Sequence, residues 1–212
     1  RVATAIAYLD LRHAVITSVN RDELPDRGAK MFARTLEAVH RQCPHTTIEV
    51  LIPDFKGDWT ALGTVMAAAP DILNHNIESP PRLYYKMRPQ AQYERSLKLL
   101  DCARKLSPAP TKSGMMLGAG ETEEEIATSI RDLADVGCSI LTLGQYLSPS
   151  AQHVQVERFV HPNEFIQWRK FAIELGFRHV ESGPLVRSSY RAAEQVDQAV
   201  AADPLLSIET AP

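Results

Sequence analysis

Six apolar runs, at residues 14–19, 48–53, 71–77, 113–118, 139–147 and 179–186, recur roughly every 23 to 40 residues, and this period limits the possible folds more than any other feature. Helical periodicity occupies residues 28–40, 59–69, 93–106, 122–136 and 162–175. Strands alternating with helices are βα units, and βα units build a parallel sheet. The helix boundaries carry their own signals. Thr122 and Glu125 stand at capping-box spacing with Gly137 past the far end, and Pro162 opens the last helix with Gly176 beyond it. Val2, Ala5, Ile6 and Leu9 share one helical face, so the chain opens on a helix. A helix feeding a parallel strand normally follows another strand, so the sequence reads as a segment whose first βα unit precedes Arg1.

Polar residues crown every one of these runs. Asn and Glu are poor strand formers, yet Asp71-Ile72-Leu73 runs straight into Asn74-His75-Asn76-Ile77-Glu78. The first run ends in Thr17-Ser18-Val19-Asn20-Arg21-Asp22, the second in Asp54 and Lys56. The fourth carries Lys112 and Ser113 and then Gly114-Met115-Met116-Leu117-Gly118-Ala119-Gly120-Glu121. Thr142 and Gln145 lie on the fifth, and Arg187-Ser188-Ser189-Tyr190 follows the sixth. Parallel α/β folds bind ligands at the carboxyl ends of their strands. Because every tip is polar, a closed or partial (β/α) barrel fits better than an open sheet with one switch point. Such a ring suits a ligand bearing an amine, a carboxylate and a sugar: Asp22 for the ammonium, Arg95 for the carboxylate, Asn76 and Glu78 for two hydroxyls. N-capping or loop solvation explains each residue singly, but less well all six tips together.

Residues 114–121 do not read as a phosphate loop. They lack the Lys-Ser/Thr of that motif, and Glu121 places a carboxylate where phosphate would sit. Gly114 and Gly118 instead permit close backbone approach to a flat ligand, while Met115 and Met116 read first as core filler. The seven histidines show no metal-ligand spacing. His75 alternates with Asn74 and Asn76, so it faces away from whatever Asn76 contacts, as a satisfied supporting residue. His153 lies in a polar loop, residues 148–158, which suits a substrate-contacting lid or plain solvent exposure equally.

With 212 residues, 44% hydrophobic and 23% charged, and a net charge of −3, one large domain is expected, with no basic excess for nucleic acid. No apolar run approaches the roughly 18 residues of a membrane span, and no signal peptide is visible. Cys43, Cys102 and Cys138 are too dispersed for a disulfide framework or a zinc site. Residues 1–192 are read as the barrel and 193–212 as a peripheral tail.

Taken together, Thr17 to Asp22, Glu49 to Phe55, Asn74-His75-Asn76-Ile77-Glu78, Arg88-Pro89, Tyr93-Glu94-Arg95-Ser96-Leu97 and Thr111-Lys112-Ser113-Gly114 resemble the lipoyl synthase family of radical S-adenosylmethionine (SAM) enzymes. Gly144-Gln145-Tyr146-Leu147 and Gly183 to Tyr190 extend the resemblance, which covers nearly the whole chain in order. It implies a partial (β/α)6 barrel of the radical SAM type with two [4Fe–4S] clusters. One cluster cleaves SAM reductively to a 5′-deoxyadenosyl radical. The other is consumed as the donor of two sulfur atoms, inserted at C6 and C8 of an octanoyl chain on a lysine of a lipoyl-carrier protein. Carried over by position, Asn76 and Glu78 take the ribose and Arg95 the methionine carboxylate. Asp22 takes the amino group with Thr17 and Ser18 nearby, and Met116, Gly118 and Glu121 lie along the adenine. Gln145, His153 and Arg158 are assigned to substrate. Ser189, with Ser188 as its rival, resembles the oxygen ligand of the auxiliary cluster, a weaker ligand than thiolate that is released when the cluster surrenders sulfur. The implied partners are an octanoylated carrier and a reduced ferredoxin or flavodoxin, with no nucleic acid and no membrane. The protein would be a monomer in the cytoplasm, or in a mitochondrion or plastid. The family's two cysteine triplets are absent from these 212 residues, so the implied cluster ligands belong upstream. Two alternatives stand beside this reading. One is a biotin synthase-like sulfur-inserting enzyme, disfavoured by the Arg-Ser-Ser-Tyr run. The other is a cluster-less barrel that binds SAM or the carrier, disfavoured by the retained polar ring.

Overall fold

The computed structural model describes residues 1–190 and Ala192. The assignment of residues 193–212 to a tail lies outside the described residues. In chain order the elements are α1 (Val2–Tyr8), β1 (His13–Thr17), α2 (Ala29–Gln42), β2 (Thr47–Leu51), a 3-10 turn (Phe55–Gly57), α3 (Trp59–Ala67) and β3 (Ile72–Asn74). A second 3-10 turn (Pro81–Leu83) leads into α4 (Tyr84–Met87), then α5 (Tyr93–Leu106), β4 (Thr111–Leu117), α6 (Glu123–Asp135), β5 (Ile140–Gln145), α7 (Pro162–Glu174) and β6 (His179–Ser182). All six expected strands and all the expected helices are present. The short helices over residues 81–87 were not anticipated, because Pro80-Pro81 reads as a break.

The six strands form one sheet in the order β1-β2-β3-β4-β5-β6, every pair parallel. Sequential order with no reversal leaves no switch point, which is the topology of a (β/α) barrel rather than of a doubly wound sheet. Side chains alternate faces along each strand. Ile48 and Val50 enter the apolar core with Phe32, Leu36 and Leu62, while Glu49 between them faces the lumen. A second core beneath β4 and β5 joins Leu117, Leu141 and Leu143 to Ile126, Ile130 and Phe165.

The helix ends follow their sequence signals. Thr122 Oγ1 accepts from Glu125 N (3.2 Å) while the Glu125 carboxylate accepts from Thr122 N (2.8 Å). Arg82 clamps the same carboxylate, so the Glu125 pKa falls to about 2. Gly137 closes α6 at φ 77°.

The lumen holds charge instead of aliphatic filler. Lys112 Nζ donates to Glu49 Oε2 at 2.9 Å with both side chains wholly buried. Asn74 Nδ2 donates to the other Glu49 oxygen at 2.6 Å, and His13 Nε2 lies 4.0 Å from Glu49. Gly114 lies two residues past Lys112 on β4, and Asn76 two residues past Asn74, just beyond the end of β3, so this charged layer forms the floor beneath the strand tips.

Candidate functional site

Past Asn74 the chain leaves the β3 ladder. His75 N donates to Lys112 O (3.0 Å), and Glu78, at φ 65°, forms an isolated parallel bridge with Met115. Glu78 N donates to Gly114 O (2.9 Å) and Met116 N to Glu78 O (2.8 Å). A non-glycine residue in the left-handed region costs conformational energy, and here two β4 hydrogen bonds hold it. The result is a shelf of Asn76 and Glu78 lying over Gly114. Asn76 Nδ2 donates to Glu78 Oε1 (3.2 Å), but Asn76 Oδ1 is buried with no hydrogen-bond partner among the described residues. A Cβ at position 114 would stand 3.0 Å from that oxygen and 2.5 Å from Thr142 Oγ1, so only glycine keeps the space open. The hollow measures about 130 Å³ and is lined by Asn76, Glu78, Gly114, Thr142, Gly144 and Ser188 among others. Burial pushes the Glu78 carboxyl above its usual range, opposed by the Arg88 charge and the Asn76 hydrogen bond.

A second hollow of about 290 Å³ lies over β1 and β2, lined by Asn20, Asp22, Asp54, Lys56 and Arg88. It rests on the turn after β2, where Phe55 (φ 48°) and Lys56 (φ 52°) are left-handed and Asp54 Oδ1 accepts from Lys56 N at 2.9 Å. Both of its carboxylates are paired with cations. Lys56 Nζ lies 3.5 Å from Asp22, and the Arg95 guanidinium grips Asp54 Oδ2 at 2.6 and 2.8 Å.

A third cavity of about 820 Å³ is largely apolar, with Met87, Met116, Tyr146, Pro149 and Val154 in its wall and Lys86, Arg88 and His153 also lining it. It shares Arg88 and Pro89 with the Asp54 hollow, and Glu78 and Met116 with the Asn76 hollow. The three therefore form one trough across the carboxyl ends of the strands. Arg88 is the link: its Nη1 donates to Asn76 O (2.8 Å), and its guanidinium lies over the Tyr84 ring at 5.5 Å.

The expected site residues distribute unevenly along this trough. Asn76, Glu78, Met116, Asp22, His153 and Ser188 line it. Thr17 and Ser18 do not; their hydroxyls donate to Leu51 O and Val19 O. Arg95 stands behind the Asp54 hollow, its guanidinium taken by Asp54 and by Gln90 O. Gly118 and Glu121 lie off the trough. The Glu121 carboxylate folds back to accept from Gly118 N (2.5 Å) and Ala119 N (2.9 Å), and the space above Gly118 is filled by Arg158 O and Gln145 Nε2. The Gln145 amide donates to Tyr146 O and Arg158 O and accepts from Val160 N, anchoring the loop instead of facing a cavity. Arg158 spends its charge on Glu164 at 2.7 Å. Ser189 is exposed, whereas Ser188 faces the Asn76 hollow. The sequence had one usable signal for the missed Arg88: a cation immediately before a proline, where the chain must leave a helix.

His75 faces away from the trough, as the alternation predicts. Its Nδ1 meets Ile52 O at 2.9 Å and its Nε2 meets Ser96 Oγ at 3.0 Å. A carbonyl only accepts, so Nδ1 carries the proton and Nε2 accepts from the serine hydroxyl. Burial lowers the pKa of the ring to about 4, with the Ile52 hydrogen bond opposing.

The cysteines form no cluster site. Cys43 and Cys138 are buried in separate cores, Cys102 is part-buried on α5, and burial drives the Cys138 pKa up to about 12. Among the described residues no group of three or more His, Cys, Asp or Glu is placed to hold a metal, and no helix is long and apolar enough to cross a membrane.

The family model of the radical SAM superfamily matches residues 1–133. A protein of Roseiflexus sp. (strain RS-1) named lipoyl synthase is 58% identical over 193 residues, covering 91% of this chain and 64% of its own length. Its namesake in Rubrobacter xylanophilus is 56% identical over 200 residues, covering 94% and 62%. The chain thus spans less than two thirds of these relatives. A domain of the pyruvate-formate lyase-activating enzyme from Bacteroides vulgatus superposes with a TM-score of 0.60 at 14% identity, over 79% of this chain and 98% of its own. Methylornithine synthase superposes at 0.59 and 11% identity, over 88% and 63%. These two likenesses concern the fold.

Proposed function

This chain belongs to the radical SAM superfamily, and on that premise we propose that it forms the SAM-binding barrel of a lipoyl synthase. Its substrate would be an octanoyl chain on a lysine of a carrier protein or domain, with sulfur inserted at C6 and C8. The observation that supports SAM binding most is the Asn76 shelf: a buried amide oxygen without a partner among the described residues, above a glycine whose missing Cβ leaves the space free. A buried unpaired acceptor costs about 1–3 kcal/mol, and a ribose hydroxyl donating to it would recover that. The residues present fit the nucleoside.

When bound, SAM supplies a deoxyadenosyl group able to take hydrogen from an unactivated carbon. In this reading Asn76 and Glu78 hold the ribose, and Arg88 fixes the shelf through the Asn76 carbonyl. Asp22 and Asp54 present carboxylates toward the amino group, while Arg95 meets the methionine carboxylate only by loosening its grip on Asp54. Met87, Met116, Tyr146 and Val154 offer an acyl chain a dry wall next to Glu78, where exclusion of water protects a reactive carbon. The cysteines of this chain, two of them buried in separate cores, do not fit a cluster. Two [4Fe–4S] clusters, the electron donor, the carrier and the role of Ser188 or Ser189 as an oxygen ligand belong to the proposal for the whole protein.

The test uses the complete protein with its iron and sulfide reconstituted anaerobically. It should convert an octanoyl-lysine peptide to the lipoyl product, read by mass spectrometry. Asn76→Ala combined with Glu78→Gln should weaken SAM binding about a hundredfold, the loss of two polar contacts. SAM affinity unchanged in that double variant would sink the assignment of the shelf.

A further inference from the structure

We propose that His75 is a positioning residue that holds the Asn76 hollow and the Asp54 hollow at the separation one ligand needs. The proposal rests on the reading above, in which both hollows bind parts of SAM. Three attachments leave this one residue in three directions. Its backbone N–H donates to Lys112 O and fixes the shelf to β4. Nδ1 donates to Ile52 O, the carbonyl directly before Pro53, and so pins the entrance of the left-handed turn that carries Asp54 and Lys56. Nε2 accepts from Ser96 on α5, the neighbour of Arg95, which grips Asp54 from the other side. The turn presenting Asp54 is therefore held at its backbone by the imidazole and at its side chain by a helix engaged by that same imidazole. Across one ring, a movement of the β2 turn or of α5 is transmitted to the ribose shelf. Among the described residues, His75 is the side chain behind the trough that bonds both to the strand end before the β2 turn and to α5.

A ligand spanning two half-sites gains affinity over its pieces only when the halves are held at the right distance. Loosening the joint should therefore penalise the whole ligand and spare a fragment that occupies one half. The experiment measures equilibrium binding of SAM and of adenosine alone to the complete, cluster-reconstituted protein, in wild type, His75→Gln and Ser96→Ala. SAM is expected to bind about a hundredfold more weakly to His75→Gln and about tenfold more weakly to Ser96→Ala, with adenosine within about twofold of wild type in both. Equal losses for SAM and adenosine would reduce His75 to a general structural role and overturn the proposal, as would unchanged SAM affinity in both variants. Should His75→Gln not fold, Ser96→Ala decides alone, because it removes one hydroxyl and leaves the ring in place. Failure of the underlying reading has a different signature: the Asn76 and Glu78 double variant would bind SAM like wild type.

Discussion

The two polar hollows occupy the same edge of the same sheet, yet they are built on opposite principles. Around Asp54 both carboxylates already have a cationic partner: Lys56 lies against Asp22, and Arg95 grips Asp54. Around Asn76 a buried amide oxygen stands without a hydrogen-bond partner among the described residues. A ligand entering the first must break existing pairs and gains only the difference. A ligand entering the second satisfies an acceptor that the fold leaves stranded. Each polar contact should therefore gain more at the Asn76 end, while the Asp54 end adds affinity through the placement of a ligand that spans both hollows.

Four measurements would break or sharpen that contrast. The largest effect is expected beneath the Asn76 shelf. Lys112→Met leaves the buried Glu49 without its ion partner and should cost about 3–5 kcal/mol in urea unfolding, most of it recovered by adding Glu49→Leu. Loss of the same stability in the double variant would show that the layer acts by shape rather than charge. Next comes pH. The unfolded imidazole protonates near 6.5 and the buried His75 ring only at about 4, so the unfolded chain takes up the proton first as pH falls. Stability from this group is complete above 6.5, declines through the window and is lower by about 3 kcal/mol below 4. Asp54 favours the charged ring, while Arg88 and Arg95 oppose it. Glu78, whose pKa is raised, contributes in the opposite sense. Comparison with His75→Gln isolates the ring, and identical acid profiles for the two proteins would contradict the assignment. Third, Gly114→Ala should weaken SAM binding about a hundredfold, because its methyl group takes the place left for the ligand. Calorimetry showing a loss below threefold would remove the glycine from the site. The smallest effect belongs to the paired hollow: Asp22→Asn and Lys56→Gln should each change SAM affinity only about threefold, as part-exposed pairs do. A loss as great as at Gly114 would invert the contrast.

The sequence announced the strands and most helices because their periods are local. Tyr93–Leu106 was expected to within a residue. The shelf was legible for the same reason: two asparagines and a glutamate where an apolar run ends have few other uses. Partnerships across the fold were not legible. Arg95 looked free because Asp54 lies 41 residues away, and Arg158 because Glu164 reaches it only through the loop's curl. Glu121 looked ligand-facing, but it bends back onto amides only two and three residues away. A residue's type gives its chemistry, and only packing gives its direction. Lys112 went furthest astray: in the sequence it counts among the polar residues that crown the runs, and it is among the most deeply buried residues in the protein.

That lysine also fixes how wide the trough can be. Glu49 and Lys112 sit on β2 and β4 with β3 between them, so their backbones stand on the order of 10 Å apart along the sheet. On a flat sheet such side chains rise in parallel; here they lean together across Asn74 and meet at 2.9 Å. The pair works as a strut that sets the radius of curvature, since uncurling the strands would draw apart two fully buried charges. Adjustment to a bulky guest must then come from the rim, through residues 148–158 and the helices over residues 81–87, while the staves of the barrel hold their spacing.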